Sequence, residues 1–380
     1  MNQRSLYFDY AAATPVDEAV LEMMLPYFSD KFYNPSAVYL LAKEVSVDLS
    51  NARAKVAQLL GVRPVEIIFT AGGTEANNLA ICGVMNSFKN AHIVVSAVEH
   101  DSILQPSSQY SHSLAPVDND GLINLQLLKK SITDKTVLVS VMYVNNEIGT
   151  VMSLPRIAKI IQEIRVQRSQ QGNEMPLYFH VDAAQAPLYF DIHVKRLGVD
   201  MMTLNGGKIY GAKQSGVLYV NSMIKLSPQI TGGGQEFNRR SGTQNIANIV
   251  GFAEALQRAQ KNYKNTHNNM SQMQAHFIGL LNSSLPHIKI NGSLKYRSPN
   301  NVHITVPGVD NERLMMELDE RGVMCAVGSA CSASNDQPSH VLRAIGLSDK
   351  DAQASLRFTM GKTTSLSDID YVVSLLQELT

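Results

Sequence analysis

Asp182 closes the apolar run LYFHVDAAQ, and twenty-six positions later Lys208 sits in DMMTLNGGKIYGAKQSGVLYV, flanked by Gly206, Gly207 and Gly211. A lysine amine can form a Schiff base with an aldehyde, and a carboxylate can keep a pyridinium nitrogen protonated. Together they are what pyridoxal 5'-phosphate asks of a protein. A lysine in a glycine-rich turn is more often a surface lysine, so the surroundings must carry the case.

The surroundings are unusual in where their polar residues fall. Thr74, His100, Asn146, Asp182, Gln185 and Lys208 each lie at or just past the C-terminal end of a predicted strand. In an open parallel sheet, that edge is where ligands bind. After the run EIIFT, Gly72 and Gly73 allow a tight turn, and the helix that follows offers free N–H groups to an anion. Thr74 is expected to be N-cap and phosphate ligand together, although a plain cap is the commoner role. His100, in VEHDS, has a flat imidazole that could stack on a cofactor ring and shuttle a proton. Asp182 lies between Val181 and two alanines, where a carboxylate needs a cationic partner. Gln185 could donate to the phenolate oxygen of the ring.

The elements that must position these groups are short apolar strands alternating with longer amphipathic stretches from about residue 50 to 220. The predicted strands are 66–70, 92–100, 136–146, 177–185, 199–205 and 215–221. Their β-branched content and helical intervals point to an α/β fold with a mostly parallel sheet and crossover helices. The segment 232–245, GGGQEFNRRSGTQN, reads as a polar loop, and NIANIVGFAEALQRAQKNY as a long helix. NVHITV, LRFTM and a final helix read as a smaller α+β unit, that helix opening on Ser367 and Asp370 as a capping-box-like pair. The expected division is a large unit over residues 14–250 and a small one made of 1–13 with 251–380.

Composition agrees with a soluble enzyme. The chain has 380 residues, 44% hydrophobic and 17% charged, with 33 basic and 33 acidic side chains. No basic stripe argues for nucleic acid, and no apolar run approaches a membrane span of about 18 residues. MNQRSLYFDYAAATP lacks the apolar core of a signal peptide, so a cytoplasmic location is expected. Cys82, Cys325 and Cys331 are too few and too oddly spaced for a disulfide framework or a zinc site. A reactive thiol is the remaining special role. Cys331 suits it, because VGSACSASNDQPS is small and polar, whereas Cys82 and Cys325 sit in apolar settings.

Taken in order, FDYAAATPVDEAV, NPS, IIFTAGGTEANNLAI, VEH, VNNEIGTV, FHVDAAQ, GKIYGAK, GGGQEFNRRSGT, GSACSAS, SHVLRAIGL and LRFTMG resemble the NifS/IscS-type cysteine desulfurases. These are pyridoxal-phosphate enzymes of aminotransferase class V with fold type I, and the likeness covers nearly the whole chain. The resemblance implies that Lys208 carries the cofactor, Asp182 meets the ring nitrogen and His100 stacks on the ring. It places Gln185 and Asn146 on the O3′ and substrate side, and Gly73, Thr74 and Asn205 at the phosphate. Thr243 would reach the phosphate of a neighbouring subunit, which implies a homodimer. Asn34 and Arg357 match the residues that grip the substrate carboxylate. Cys331 matches the cysteine that takes sulfur from L-cysteine as a persulfide, leaving L-alanine. Protein sulfur acceptors, for iron–sulfur cluster or other thio-cofactor synthesis, are the implied partners.

The chain departs from the family pattern at several points. Gly207 stands where the family usually has histidine, and Asn205 where it usually has serine. Leu40 and Lys43 replace a histidine and a glycine. The chain also stops at Thr380, without the further tail by which housekeeping relatives dock a scaffold protein. Selenocysteine lyase or another class V lyase or transaminase keeps the same cofactor. A non-catalytic paralogue acting as a binding or regulatory subunit is the reading from outside enzymology.

Overall fold

The computed structural model describes residues 5–328 and 338–380. Its strands, in chain order, are β1 (Leu6–Tyr7), β2 (Ile67–Thr70), β3 (His92–Ser96), β4 (Ser111–Ala115), β5 (Thr136–Ser140), β6 (Tyr178–Asp182), β7 (Met201–Asn205), β8 (Gly216–Val220), β9 (Lys289–Ile290), β10 (Asn301–Thr305), β11 (Val323–Met324) and β12 (Ser355–Thr359). Seven of them form one sheet in the order β2-β8-β7-β6-β5-β3-β4. The run β7-β6-β5-β3-β4 is parallel throughout, and β8 lies antiparallel to both β7 and β2. The mostly parallel expectation therefore holds with one reversed strand.

Helices cover both faces of this sheet, as its near-continuous burial requires. On one side Ile68, Leu79, Ile81, Ile93 and Leu138 share a core. On the other, Val56, Leu60, Val139, Phe179, Met202, Phe252 and Leu256 share another. A third core, around Phe8, Phe277, Leu318, Phe358 and Leu376, belongs to the antiparallel sheet β12-β10-β9 and to β1, which pairs with β11. The 39-residue helix Ile246–Ser284 contributes to both of the last two cores, through Phe252 and Leu256 near its start and Phe277 and Leu281 near its end.

Three details differ from the sequence expectation. The helix Gly73–Met85 begins two residues earlier than expected, so its N-cap is Gly72 rather than Thr74. Gly72 has φ 129°, a conformation that favours glycine, and Gly216 on β8 packs against it so closely that a Cβ there would come within 2.6 Å of the Gly72 carbonyl carbon. His100 does not end a strand: β3 stops at Ser96, and His100 caps the helix Asp101–Ser107. The last helix, Leu366–Leu379, is capped by Ser365 with Asp368, not by Ser367 with Asp370. Both pairs share the same spacing. The Ser365 start is the one that leaves Leu366 exposed and turns Ile369, Val372, Val373 and Leu376 into the core.

Candidate active site

All six strand-end residues converge on one cavity of about 180 Å3. Thr74, His100, Asn146, Asp182, Gln185 and Lys208 line it, together with Gly73, Asn205 and Arg357. The parallel strands deliver most of them. β6 ends on Asp182 itself, while β3, β5 and β7 release the chain a few residues before His100, Asn146 and Lys208. Beneath the site, His180 on β6 is bonded through Nδ1 to Ser140 Oγ (2.9 Å) on β5 and through Nε2 to Thr203 Oγ1 (3.1 Å) on β7. This cross-strand ladder fixes the register of the three strands that carry the site. Burial pushes the His180 imidazole down to about 3, so it stays neutral there.

Asp182 is buried but well provided with donors. Oδ2 accepts from Asn77 Nδ2 at 2.7 Å, and Oδ1 from the Ala184 N–H at 2.9 Å. Lys208 Nζ donates to the carbonyls of Ala11 (2.8 Å) and Ala12 (2.5 Å), and Gln185 Nε2 also donates to Ala11 O (2.9 Å). The N-terminal segment thus forms one wall of the cavity and holds the amine in place. Asn205 Oδ1 accepts the Gly207 N–H at 3.1 Å, capping the short 3₁₀ turn that presents Lys208. Its amide also lies close to Gly73, where a Cβ would be 3.3 Å from Nδ2.

On the opposite wall, Arg357 on β12 is 1% exposed. It donates through Nη1 to Asn146 O (2.9 Å) and through Nη2 to Asp9 Oδ1 (2.6 Å), and its Nε has no partner among the described residues. Two fully buried carboxyls stand behind the wall. Burial pushes Glu99 well above the usual carboxylate range, against the pull of its bond from the Met142 N–H (2.6 Å) and with a further push from Asp182. Burial also raises Glu147, opposed first by Ser339, whose hydroxyl donates to it at 2.6 Å.

These groups fit pyridoxal phosphate. An amine, a carboxylate and an imidazole line the same cavity, and a helix N-terminus with two glycines offers the anion site. The sequence reading did not name Asn77 or Ser102, which also line the cavity. Their signals were modest: Asn77 lies one helical turn beyond Thr74, and Ser102 two residues beyond His100.

Two sequence candidates lie elsewhere. Asn34 is exposed, its Oδ1 accepting the Ser36 N–H at 3.0 Å, and it does not line the cavity. Thr243 lines a separate cavity of about 220 Å3 beside β2 and β8, with Arg240 and Gln244. Cys331 lies outside the described residues. Cys325 is close enough to Asp9 and Arg357 to feel both charges, but burial pushes its thiol up to about 12, a poor setting for a nucleophile.

A model of the family described as Aminotransferase class-V matches residues 6–372. The cysteine desulfurase IscS of Dictyoglomus turgidum is 36% identical over 384 residues, covering 99% of this chain and 95% of the relative. Among solved structures, a NifS-like protein superposes with a TM-score of 0.90 at 28% identity, covering 99% of both chains. SspA, solved in complex with cysteine, superposes at 0.80 with 34% identity, covering 94% of this chain and 99% of that one.

Proposed function

The chain belongs to the class-V aminotransferase family, among its IscS-type cysteine desulfurases, and from that premise we propose how its residues take sulfur from L-cysteine and release L-alanine. The observation that carries the reading is the convergence of Lys208, Asp182, His100 and Arg357 on one cavity. Pyridoxal phosphate, when bound, would supply the electron sink that makes the substrate Cα–H acidic and would accept the electron pair left on carbon when the Cβ–S bond breaks.

The chain's own part is positioning and proton transfer. Asp182 presents a carboxylate with both oxygens already oriented, so little reorganisation opposes its pairing with a cationic ring N–H. Gly73 and Thr74 open a helix whose first N–H groups take the phosphate, with Asn205 beside them. Arg357 takes the substrate carboxylate, and Asn146 and Gln185 orient the amino-acid end. Lys208 Nζ removes the α-proton, and His100 serves as the ring-facing acid–base group. The Cys331 thiolate attacks the substrate Sγ: a sulfur–sulfur bond forms as the carbon–sulfur bond breaks, the electron pair of that bond goes to the carbon fragment, which is protonated at Cβ and released as alanine, and the sulfur stays on Cys331 as a persulfide for a protein acceptor.

The working unit in this reading is a homodimer in which the loop 232–245 lends Thr243 to the partner's phosphate site. An exposed apolar stretch supports it: Phe28, Phe32, Val38 and Leu40 are 62%, 67%, 85% and 77% exposed. The same stretch carries Asn34, which a second copy could bring to a cavity. We also read the chain as a large unit over 14–250 and a small one from 1–13 with 251–380.

The test is to incubate the purified, cofactor-loaded protein with L-cysteine and a thiol reductant and to measure alanine and sulfide. Equal amounts of both, abolished by Cys331→Ala, are expected. Sulfide release that survives in Cys331→Ala would remove the persulfide from the scheme.

A further inference from the structure

Four side chains in the cavity wall are joined by hydrogen bonds whose donors can be counted. Asn77 Nδ2 carries two protons: one goes to Asp182 Oδ2 at 2.7 Å and the other to Ser102 Oγ at 2.8 Å. Ser102 Oγ, having accepted from Asn77, has one proton to give, and His100 Nδ1 is 2.8 Å away. The Ser102 backbone N–H points at the same nitrogen from 3.0 Å. Nδ1 therefore faces two donors and must be the unprotonated nitrogen, which puts the proton of a neutral His100 on Nε2. The direction of the Asn77 amide follows from the same count, since a reversed amide would set its oxygen against the Asp182 carboxylate.

We propose that Asn77 and Ser102 are positioning residues that tie Asp182 to His100 as one unit and hold His100 in its Nε2-protonated tautomer. Ser102 lies outside the motifs that carry the resemblance and acts only through His100, while Asn77 lies within IIFTAGGTEANNLAI without a role assigned to it there. The inference deepens the desulfurase reading and rests on it for the roles of Asp182 and His100. Its physical content is preorganisation. The group that meets the ring nitrogen and the group that stacks on the ring cannot reorient independently, because one amide proton pair links them. In this tautomer the nitrogen through which His100 can hand over a proton is Nε2.

The test reads the imidazole directly. Protein labelled with [15N]histidine is examined by NMR with and without bound cofactor, near pH 8 where an ordinary histidine is neutral, and His100→Gln assigns the signals by difference. The wild type is expected to show the Nε2–H tautomer. Ser102→Ala, which removes the hydroxyl donor but keeps the backbone N–H, should move the His100 Nδ1 signal while leaving the proton on Nε2, and Ser102→Thr, which keeps the hydroxyl, should restore it. With L-cysteine, Ser102→Ala should lose about tenfold in kcat with little change in KM, as expected for one lost hydrogen bond. Asn77→Ala keeps both donors to Nδ1, so its His100 signals should stay put while cofactor affinity falls by about tenfold. An Nδ1–H tautomer in the wild type, or His100 signals and kcat unmoved by Ser102→Ala, would overturn the proposal. A wild type that shows the stated tautomer and responses to mutation but does not act on L-cysteine would overturn the desulfurase reading and leave the linkage standing.

Discussion

Asp9 and Arg357 are bonded at 2.6 Å across the join between the N-terminal segment and β12, with the guanidinium side chain 2% exposed and the carboxylate 18%. The arginine proposed above for the substrate carboxylate is thus already oriented by a carboxylate of its own chain. Asn146 O holds its second amino group, and each Nη keeps one further N–H for a ligand.

From this pairing we expect Asp9→Ala to destabilise the fold by about 3–5 kcal/mol, because it leaves a buried guanidinium uncompensated. Urea unfolding measures it, and a loss well below 1 kcal/mol would contradict the pairing's importance. Arg357→Lys keeps the charge but not the fork, so the KM for L-cysteine should rise more than about tenfold while the cofactor stays bound.

The second prediction concerns Lys208 and the turn before it. Cofactor-loaded protein should show a visible absorbance that borohydride abolishes, with the adduct mapped to Lys208. Gly207 has room for a side chain: an added Cβ would have its nearest neighbour, Asn205 Oδ1, 3.6 Å away. Gly207→His should therefore fold normally and hold the cofactor about ten- to a hundredfold more tightly through a restored charge-assisted bond to the phosphate. Equal retention on dialysis would show that the turn compensates for the glycine.

Assembly is tested by light scattering. A dimer is expected, and Thr243→Ala should weaken cofactor retention without dissociating it. Charging the apolar stretch, as in Phe32→Asp, should instead yield monomers with poor retention. An active monomer would contradict the lent-loop arrangement.

A fourth prediction follows from His180 and His303, whose imidazoles burial pushes down to about 3, assisted for His303 by the charges of Arg297 and Arg357. Below the ordinary histidine pKa the unfolded chain binds protons that the folded one does not. Stability present above about pH 6.5 should therefore be lost as pH falls toward 3. At pH 5 each histidine should account for about 2 kcal/mol of that loss. Urea midpoints measured from pH 7.5 to 5 should fall, and more gently in a His180→Gln protein. A flat profile would show that neither ring is buried neutral.

Much of this was legible in the sequence because the chemistry sits where the apolar runs stop. β2, β3, β5, β6, β7 and β8 are apolar and almost entirely interior, and each was readable from its run. β4 was not, because it is an edge strand whose SHSLA pattern is largely exposed and carries no apolar periodicity. The helix Leu40–Leu60 also escaped, since its first turn presents Leu40 and Leu41 to solvent and so blurs its amphipathic face. His100 was placed near its true position for an incomplete reason. Its ring is fixed by the Ser102 N–H two residues on, a local bond that no strand pattern encodes. The linkage through Asn77 spans residues from three different segments, so only the folded arrangement reveals it.

The pairing of β1 with β11 also bears on the order in which the molecule is made. Leu6 and Phe8 complete a core whose other members, Tyr189 apart, run from Met270 to Leu376, late in the chain. During translation the N-terminal segment must therefore wait, unpaired, for nearly the whole chain, a long-range closure that slows folding. Ala11 and Ala12, which hold Lys208, and Asp9, which holds Arg357, belong to that waiting segment. The walls that Asp9, Ala11 and Ala12 give the cavity depend on β11 and β12 being in place to hold that segment.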